Sequence, residues 1–452
     1  MKTLILGGGL AGLSCSYHLG HQNCQIIERN PYLGGHATTH QRDNAFWDEG
    51  PHVSFTKHES ARNFLTWSAD RHVLDYPTNV GNFFAGHWIP HPAQSNLCAV
   101  PEPLAGQCYD DFLDNQNKPL STDQPKNYQE WLDQAFGITF SRTFPHAYTR
   151  KYWTCDPSEL STDWVGGRVY KPDLETVVEG YRGKPKPNTH YINSVRYPAN
   201  GGFGGFLTGL KKGANVIRDE VVSIDLDKKC VFLANGKPMS YEKLVSSLPL
   251  DQFVDMIVDV PPDVKKASTL LSCSSLLLVN ILGTQIKSNP YHWLYVYDED
   301  KYSTRVSQTH LLAPSNTPDG LAGIQVEVYA SKYRQFSESF ETITAKVCQE
   351  ILEMNLVDEI KSVHFQIVPY ANIIFDHHRR KALDTVLEYL ANFGLIREYD
   401  DLDPMTDWSD LNSFNGQPDL ALAGRFGQWK YYWTDDCLLR GMQLASSFES
   451  HP

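Results

Sequence analysis

Leu4-Ile5-Leu6-Gly7-Gly8-Gly9-Leu10-Ala11-Gly12, followed by Gln25-Ile26-Ile27-Glu28, decides how this chain folds. Leu4 to Leu6 is an apolar run of strand length that enters a glycine turn. Gly7 allows the tight strand-to-helix turn, Gly9 lets a pyrophosphate approach the backbone, and Gly12 lets the helix pack closely on the sheet. Leu10 and Ala11 open that helix, whose N-terminus offers free N–H groups and a positive dipole to an anion. Glu28 closes the second strand about 20 residues on, where a carboxylate meets the ribose hydroxyls of an unphosphorylated dinucleotide. The spacing predicts a Rossmann-like α/β domain that binds a dinucleotide.

The chain of 452 residues is too long for one compact core and predicts several domains. A hydrophobic content of 41% with 12% aromatics supports sizeable cores, and the net charge of −13 argues against nucleic acid as a partner. The 9 cysteines are scattered without a C-x-x-C pair, which predicts reduced thiols with no metal or disulfide role and a cytoplasmic protein. No apolar run approaches the roughly 20 residues of a membrane span.

We expect one dinucleotide-binding domain assembled from residues 1–75, 196–255 and 401–452. A helical substrate insertion is expected over 76–195, and a mixed-sheet substrate domain over 256–400. Helices are predicted over Tyr128–Phe136, Phe340–Met354 and Ala382–Phe393, with a final helix from Asp435. Strand-like runs include Asn215–Ile217, Val221–Leu226, Cys230–Leu233, Lys243–Pro249, Leu276–Leu282, Leu321–Tyr329 and Leu420–Ala423, and Asn235-Gly236 marks a hairpin turn. The polar, proline-containing stretch Leu97–Lys126 is read as an insertion or mobile loop.

After Glu28-Arg29 and three further residues, Asn30-Pro31-Tyr32, comes Leu33-Gly34-Gly35-His36, a second glycine turn. It resembles the pattern of the flavin family that includes amine oxidases, protoporphyrinogen oxidases and UDP-galactopyranose mutases, and implies FAD. One branch fits best. Gly50-Pro51-His52 is similar to the Gly-Pro-His segment of the mutases at the isoalloxazine edge, and Gly86 to Pro92 resembles their short hairpin. Tyr148-Thr149-Arg150-Lys151-Tyr152-Trp153, then Asp156-Pro157-Ser158-Glu159-Leu160, then Arg168, resembles their substrate segment. Val368-Pro369-Tyr370 and Gly424-Arg425-Phe426-Gly427-Gln428-Trp429-Lys430-Tyr431 look like their C-terminal motifs.

The resemblance implies a pyranose–furanose mutase in which reduced flavin N5 attacks the anomeric carbon of a nucleotide sugar. His52, Arg168 and Arg305 would be catalytic. Tyr148, Trp153, Arg168, Arg305, Tyr370 and Tyr431 would bind substrate. Gly7, Gly9, Leu10, Ala11, Gly12, Glu28, Arg29, Gly34, Gly35, His36, His52, Val221, Gly424 and Arg425 would hold FAD. The diphosphate calls for arginine because a guanidinium is permanently charged and matches phosphate oxygens bidentately. A homodimer and an external reductant such as NAD(P)H are further implications.

Four departures stand out. Arg168 falls one residue later than the family spacing, and Trp429 stands where a tyrosine is common. Tyr432-Trp433-Thr434-Asp435-Asp436 replaces an Asp-Met-Asp run, and Ser246-Ser247-Leu248-Pro249 looks more like the oxidase branches. The competing expectation is therefore an FAD-dependent oxidoreductase with Trp429, Tyr431 and Tyr432 as an aromatic cage. A flavin-binding protein without turnover is a third.

Overall fold

The computed structural model describes residues 3–117, 124–185, 194–285, 289–398 and 418–450. Its first layer is a five-stranded sheet in the order Leu420–Leu422, Lys243–Ser246, Thr3–Leu6, Cys24–Glu28, Val216–Arg218. Every pairing in it is parallel. Parallel strands need crossovers and are buried on both faces, so these strands read as near-continuous apolar runs. Leu4, Ile5 and Leu6 are fully buried in the centre. Three distant segments of sequence thus make one sheet, as the strand-like runs predict.

Two helices pack beside this sheet, Leu10–His18 from the glycine turn and Thr434–Ser450 at the C-terminal end. They approach closely because Gly441 faces Ser14 and the carbonyl of Ala11, where a Cβ would collide. The Ser14 hydroxyl donates to the Leu438 carbonyl at 2.7 Å across the same contact.

The second sheet has seven strands in the order Val357–Val368, Ser275–Gln285, Leu321–Ala330, Arg305–Gln308, Trp293–Val296, Val80–Phe84, His87–Pro90. It is mixed: Trp293–Val296 pairs parallel with Val80–Phe84, and the other pairings are antiparallel. Alternation explains its two faces. Leu277, Val279, Ile281, Ile324, Val326 and Val328 fall on one side and form a core with Ile343, Val347 and Ile351 of the Phe340–Glu353 helix. The intervening positions Asn280, Gln325, Glu327, Tyr329, Arg305 and Ser307 belong to the opposite face. Two strands from the 76–195 segment complete this sheet.

The expected loop at Leu97–Lys126 is a correction. Leu104–Asn117 is an α-helix, with Ala105, Cys108, Tyr109 and Phe112 buried. Those positions follow the i, i+3, i+4, i+7 rule of a helix with one apolar stripe. Pro101 and Pro103 precede the helix, where proline starts helices rather than breaking them. Residues 118–123 of the expected loop lie outside the described residues. All nine cysteines are unpaired. Among the described residues no helix is long and apolar enough to cross a membrane.

Candidate active site

One cavity of about 890 Å³ runs from the glycine turn to the polar face of the seven-stranded sheet. Of the residues expected to bind cofactor or substrate, all but Gly12 line it. Gly12 sits beneath, where a Cβ would collide with the Gly7 carbonyl oxygen, so its place is helix-to-strand packing. Gly9, by contrast, has open space at its Cβ position. Glu28 is nearly buried, accepting hydrogen bonds from the N–H of Gly8 and of Asn30, each at 2.8 Å. Its carboxylate therefore fixes the turn as well as facing the cavity.

Gly34 and Gly35 have φ of +122° and +53°, conformations that favour glycine. The N–H of Gly34 donates to the Gly8 carbonyl at 2.8 Å, which ties the second glycine turn to the first. Val221 lines the same end, while Arg29 pairs with Glu220 in an exposed ion pair. An elongated groove floored by glycine backbone, with a helix N-terminus at its centre, fits an extended dinucleotide such as FAD.

At the middle of the cavity His52 is partly exposed, and its buried Nδ1 has no hydrogen-bond partner. Burial, then the positive charge of Arg425, pushes its pKa down to about 3, so the imidazole is neutral at ordinary pH. The segment after it is held from below. Asp435, in the first turn of the last helix, accepts from the Ser54 hydroxyl at 3.2 Å and from the N–H groups of Phe55 and Thr56 at 3.1 and 3.0 Å. Arg425 is braced rather than free, donating to the carbonyls of Tyr432 at 2.6 Å and Ala371 at 3.2 Å. Gly424 before it has φ +80° and lies against the Ala11 methyl.

The far end is built of aromatics and arginines. Arg305 lies opposite Glu327 in the strand register, and the two form a bidentate ion pair through Nε and Nη2. Glu327 is almost wholly buried. Tyr148 stacks on Tyr152 with rings 19° apart and meets Tyr295 edge-on. The Tyr148 hydroxyl and the Ser307 hydroxyl are buried and lack partners, so both are open to a ligand. Trp153 is buried against Trp164 and Tyr431.

Arg168 sits in the corner of two perpendicular rings, with its guanidinium carbon 4.5 Å from the centroid of Tyr431 and 4.7 Å from that of Trp433. Tyr370 lines the cavity, but its hydroxyl donates to Asp251 at 2.8 Å. Of the alternative aromatic cage, Tyr431 and Tyr432 line the cavity and Trp429 does not. Trp429 is fully buried away from the cavity lining, and the faces of Tyr431 are taken by Arg168 and Trp164.

Glu327, Tyr329, Tyr295, Ser307, Trp164 and Trp433 line the site without having been anticipated. Alternation carries a signal for two of them: in Ile324-Gln325-Val326-Glu327-Val328-Tyr329, polar residues recur at every second position of an otherwise apolar strand.

Residues 5–77 match the model of an NAD(P)-binding Rossmann-like domain family. Over nearly the whole chain the structure is similar to that of reduced UDP-galactopyranose mutase. The TM-score is 0.87 at 22% identity, covering 98% of this chain and 94% of that one. A putative protoporphyrinogen oxidase from Exiguobacterium sp. 255-15 aligns with TM-score 0.73 at 14% identity, over 99% of this chain and 98% of that one. A putrescine oxidase redesigned in its cofactor binding aligns with TM-score 0.59 at 11% identity, over 100% and 99%. The chain has the fold these proteins share, with a Rossmann-like cofactor domain and a second, mixed sheet.

Proposed function

We propose that this protein is an FAD-dependent mutase that interconverts the pyranose and furanose forms of a nucleotide sugar. The observation that carries the reading is Arg168. Its guanidinium lies in the same cavity as the dinucleotide turn and donates no side-chain hydrogen bond among the described residues. A free, permanently charged fork facing a cofactor cavity suits a diphosphate and has no use for an amine or apolar substrate. The net acidity of the chain does not oppose this, because the charge is local.

Reduced flavin, when bound, supplies a nucleophilic N5 to the anomeric carbon of the sugar. The chain's part is positioning and charge. Gly7 to Gly12 and Gly34-Gly35 receive the cofactor's pyrophosphate and the ribose side of its adenosine. Neutral His52 presents a hydrogen-bonding nitrogen near the reactive centre. Arg168 takes the departing diphosphate, with the Nη1 edge of Arg305 left over from its pairing to Glu327 as a second donor. Tyr148, Ser307 and Tyr431 offer hydroxyls to the remainder of the ligand, and Trp153 walls off water. An external reductant such as NAD(P)H would keep the flavin reduced.

The test is to load the protein with FAD, reduce it with dithionite, and offer a panel of UDP-linked pyranoses and furanoses. Chromatographic interconversion that depends on the reductant supports the reading. No interconversion across the panel, together with aerobic turnover of amines, overturns it in favour of an oxidase.

A further inference from the structure

The stack around Arg168 is longer than one contact. Trp164 lies parallel to Tyr431, 7° apart with centroids at 5.9 Å, Arg168 covers the ring of Tyr431 in turn, and Trp433 faces Arg168. Phe55 closes the stack, edge-on to Trp433 at 5.0 Å. Tyr431 and Trp433 stand at 87° to each other with centroids 6.3 Å apart, so the guanidinium sits in the corner of two perpendicular rings, and its N–H groups make no side-chain hydrogen bond among the described residues. The other arginines lining the cavity are engaged: Arg29 with Glu220, Arg305 with Glu327, and Arg425 with backbone carbonyls.

The backbone around Arg168 does little to fix its side chain. Gly166 to Arg168 forms a single 3-10 turn, and Gly166 has φ +34°. A long side chain on such a turn has many rotamers to lose on binding. The aromatic stack removes that freedom in advance. The nearby carboxylate of Asp436 accepts the Trp433 backbone N–H at 2.8 Å and faces Arg168 only through its charge, with no hydrogen bond to the guanidinium among the described residues. A carboxylate in place of the indole would consume the N–H edge and neutralise it. An indole face stabilises the cation and leaves every donor available.

We propose that Trp433 is a positioning residue that holds the Arg168 edge as a preorganised, bidentate receptor for the diphosphate of the nucleotide sugar. This rests on the function proposed above. Trp433 acts through Arg168, so its effect falls on the anionic part of the ligand and leaves the nucleoside part alone.

The experiment titrates the full-length, FAD-loaded protein with UDP, UMP and uridine, following flavin fluorescence. The wild type is compared with Trp433→Tyr, Trp433→Phe and Trp433→Leu, and FAD content is measured by absorbance in each. We expect UDP affinity to fall in steps along that series, reaching about tenfold in Trp433→Leu. Uridine affinity should stay within about twofold. Should Trp433→Leu fail to retain FAD, the graded loss in the Tyr and Phe variants carries the test. Equal losses for UDP and uridine would show a merely structural tryptophan and overturn the inference. Tight UDP binding that ignores the substitutions overturns the inference but leaves the function standing. A wild type that binds UDP no better than uridine overturns both.

Discussion

Arg305 and Glu327 face each other across neighbouring antiparallel strands, and the carboxylate takes two hydrogen bonds from the guanidinium in a nearly water-free position. Arg168, at the same end of the cavity, has no such partner. The two arginines should therefore fail in different ways. Arg305→Ala strands a buried carboxylate, which costs on the order of 3–5 kcal/mol of stability. Arg168→Ala exposes no buried charge and loses only its two ring contacts, so it should cost about 1–2 kcal/mol of stability while abolishing most activity. Denaturant unfolding and turnover measured on both variants, with FAD content as control, check this. Loss of FAD from Arg168→Ala would place that residue on the cofactor and not on the substrate.

The cofactor half of this site is legible in the sequence because its determinants are local. A glycine that must turn the chain, a helix that must start and a carboxylate at a strand end all sit within one stretch, Gly7 to Gly35. The substrate half is less so. Which arginine is free depends on the register that sets Glu327 opposite Arg305, and no motif reports a register. Trp433 is visible only as a departure from Asp-Met-Asp. Its meaning emerges when the last helix brings it over Arg168, a residue from a distant loop. The Leu104–Asn117 helix was hidden by two prolines whose position marks its beginning.

His52 carries a prediction about pH. Burial first, and then the neighbouring charges of Arg425, His36 and Arg305, hold its pKa down at about 3. The ring is neutral from pH 5 to 8 and contributes no titrating limb there. His52→Asn should lower kcat on the order of 100-fold, the loss expected for a preorganised hydrogen-bonding group at a reacting centre. The shape of the rate profile between pH 5 and 8 should not change. A limb near pH 6 that disappears in the variant would show that the imidazole does titrate.

Asp435 links the flavin-side segment to stability. Burial raises its pKa from 3.8 to about 6, against the lowering by hydrogen bonds from Phe55, Ser54 and Thr56. Because the folded value lies above the unfolded one, its contribution is fully present below about pH 4 and is lost as pH rises through 6. Asp435→Asn retains an oxygen to accept all three hydrogen bonds but has no proton to lose. Its unfolding free energy should therefore gain on the wild type between pH 4 and 7, read by urea titration at each pH. A constant difference across that range would mean that Asp435 is not the group responsible.

The contact between the first and last helices supplies the final prediction. Gly441 sits where a methyl group would strike Ser14 and lie 2.6 Å from the Ala11 carbonyl. Both neighbours belong to the helix whose N-terminus lines the cavity at the first glycine turn, so neither can yield without moving that helix. Gly441→Ala has no conformational strain of its own, since this glycine lies within a helix and alanine is the better helix former. Its effect should be purely steric, about 1–3 kcal/mol of destabilisation from overpacking. The displaced helix should also release FAD, so the variant should purify with less flavin and regain part of its thermal stability when FAD is added. Gly236→Ala is the control, because no atom lies within 4 Å of its Cβ position and its φ of +83° imposes only a local backbone penalty. It should lose some stability and keep its flavin. If Gly441→Ala instead retains full flavin and melts like the wild type, the two helices do not pack as closely as the first glycine turn requires.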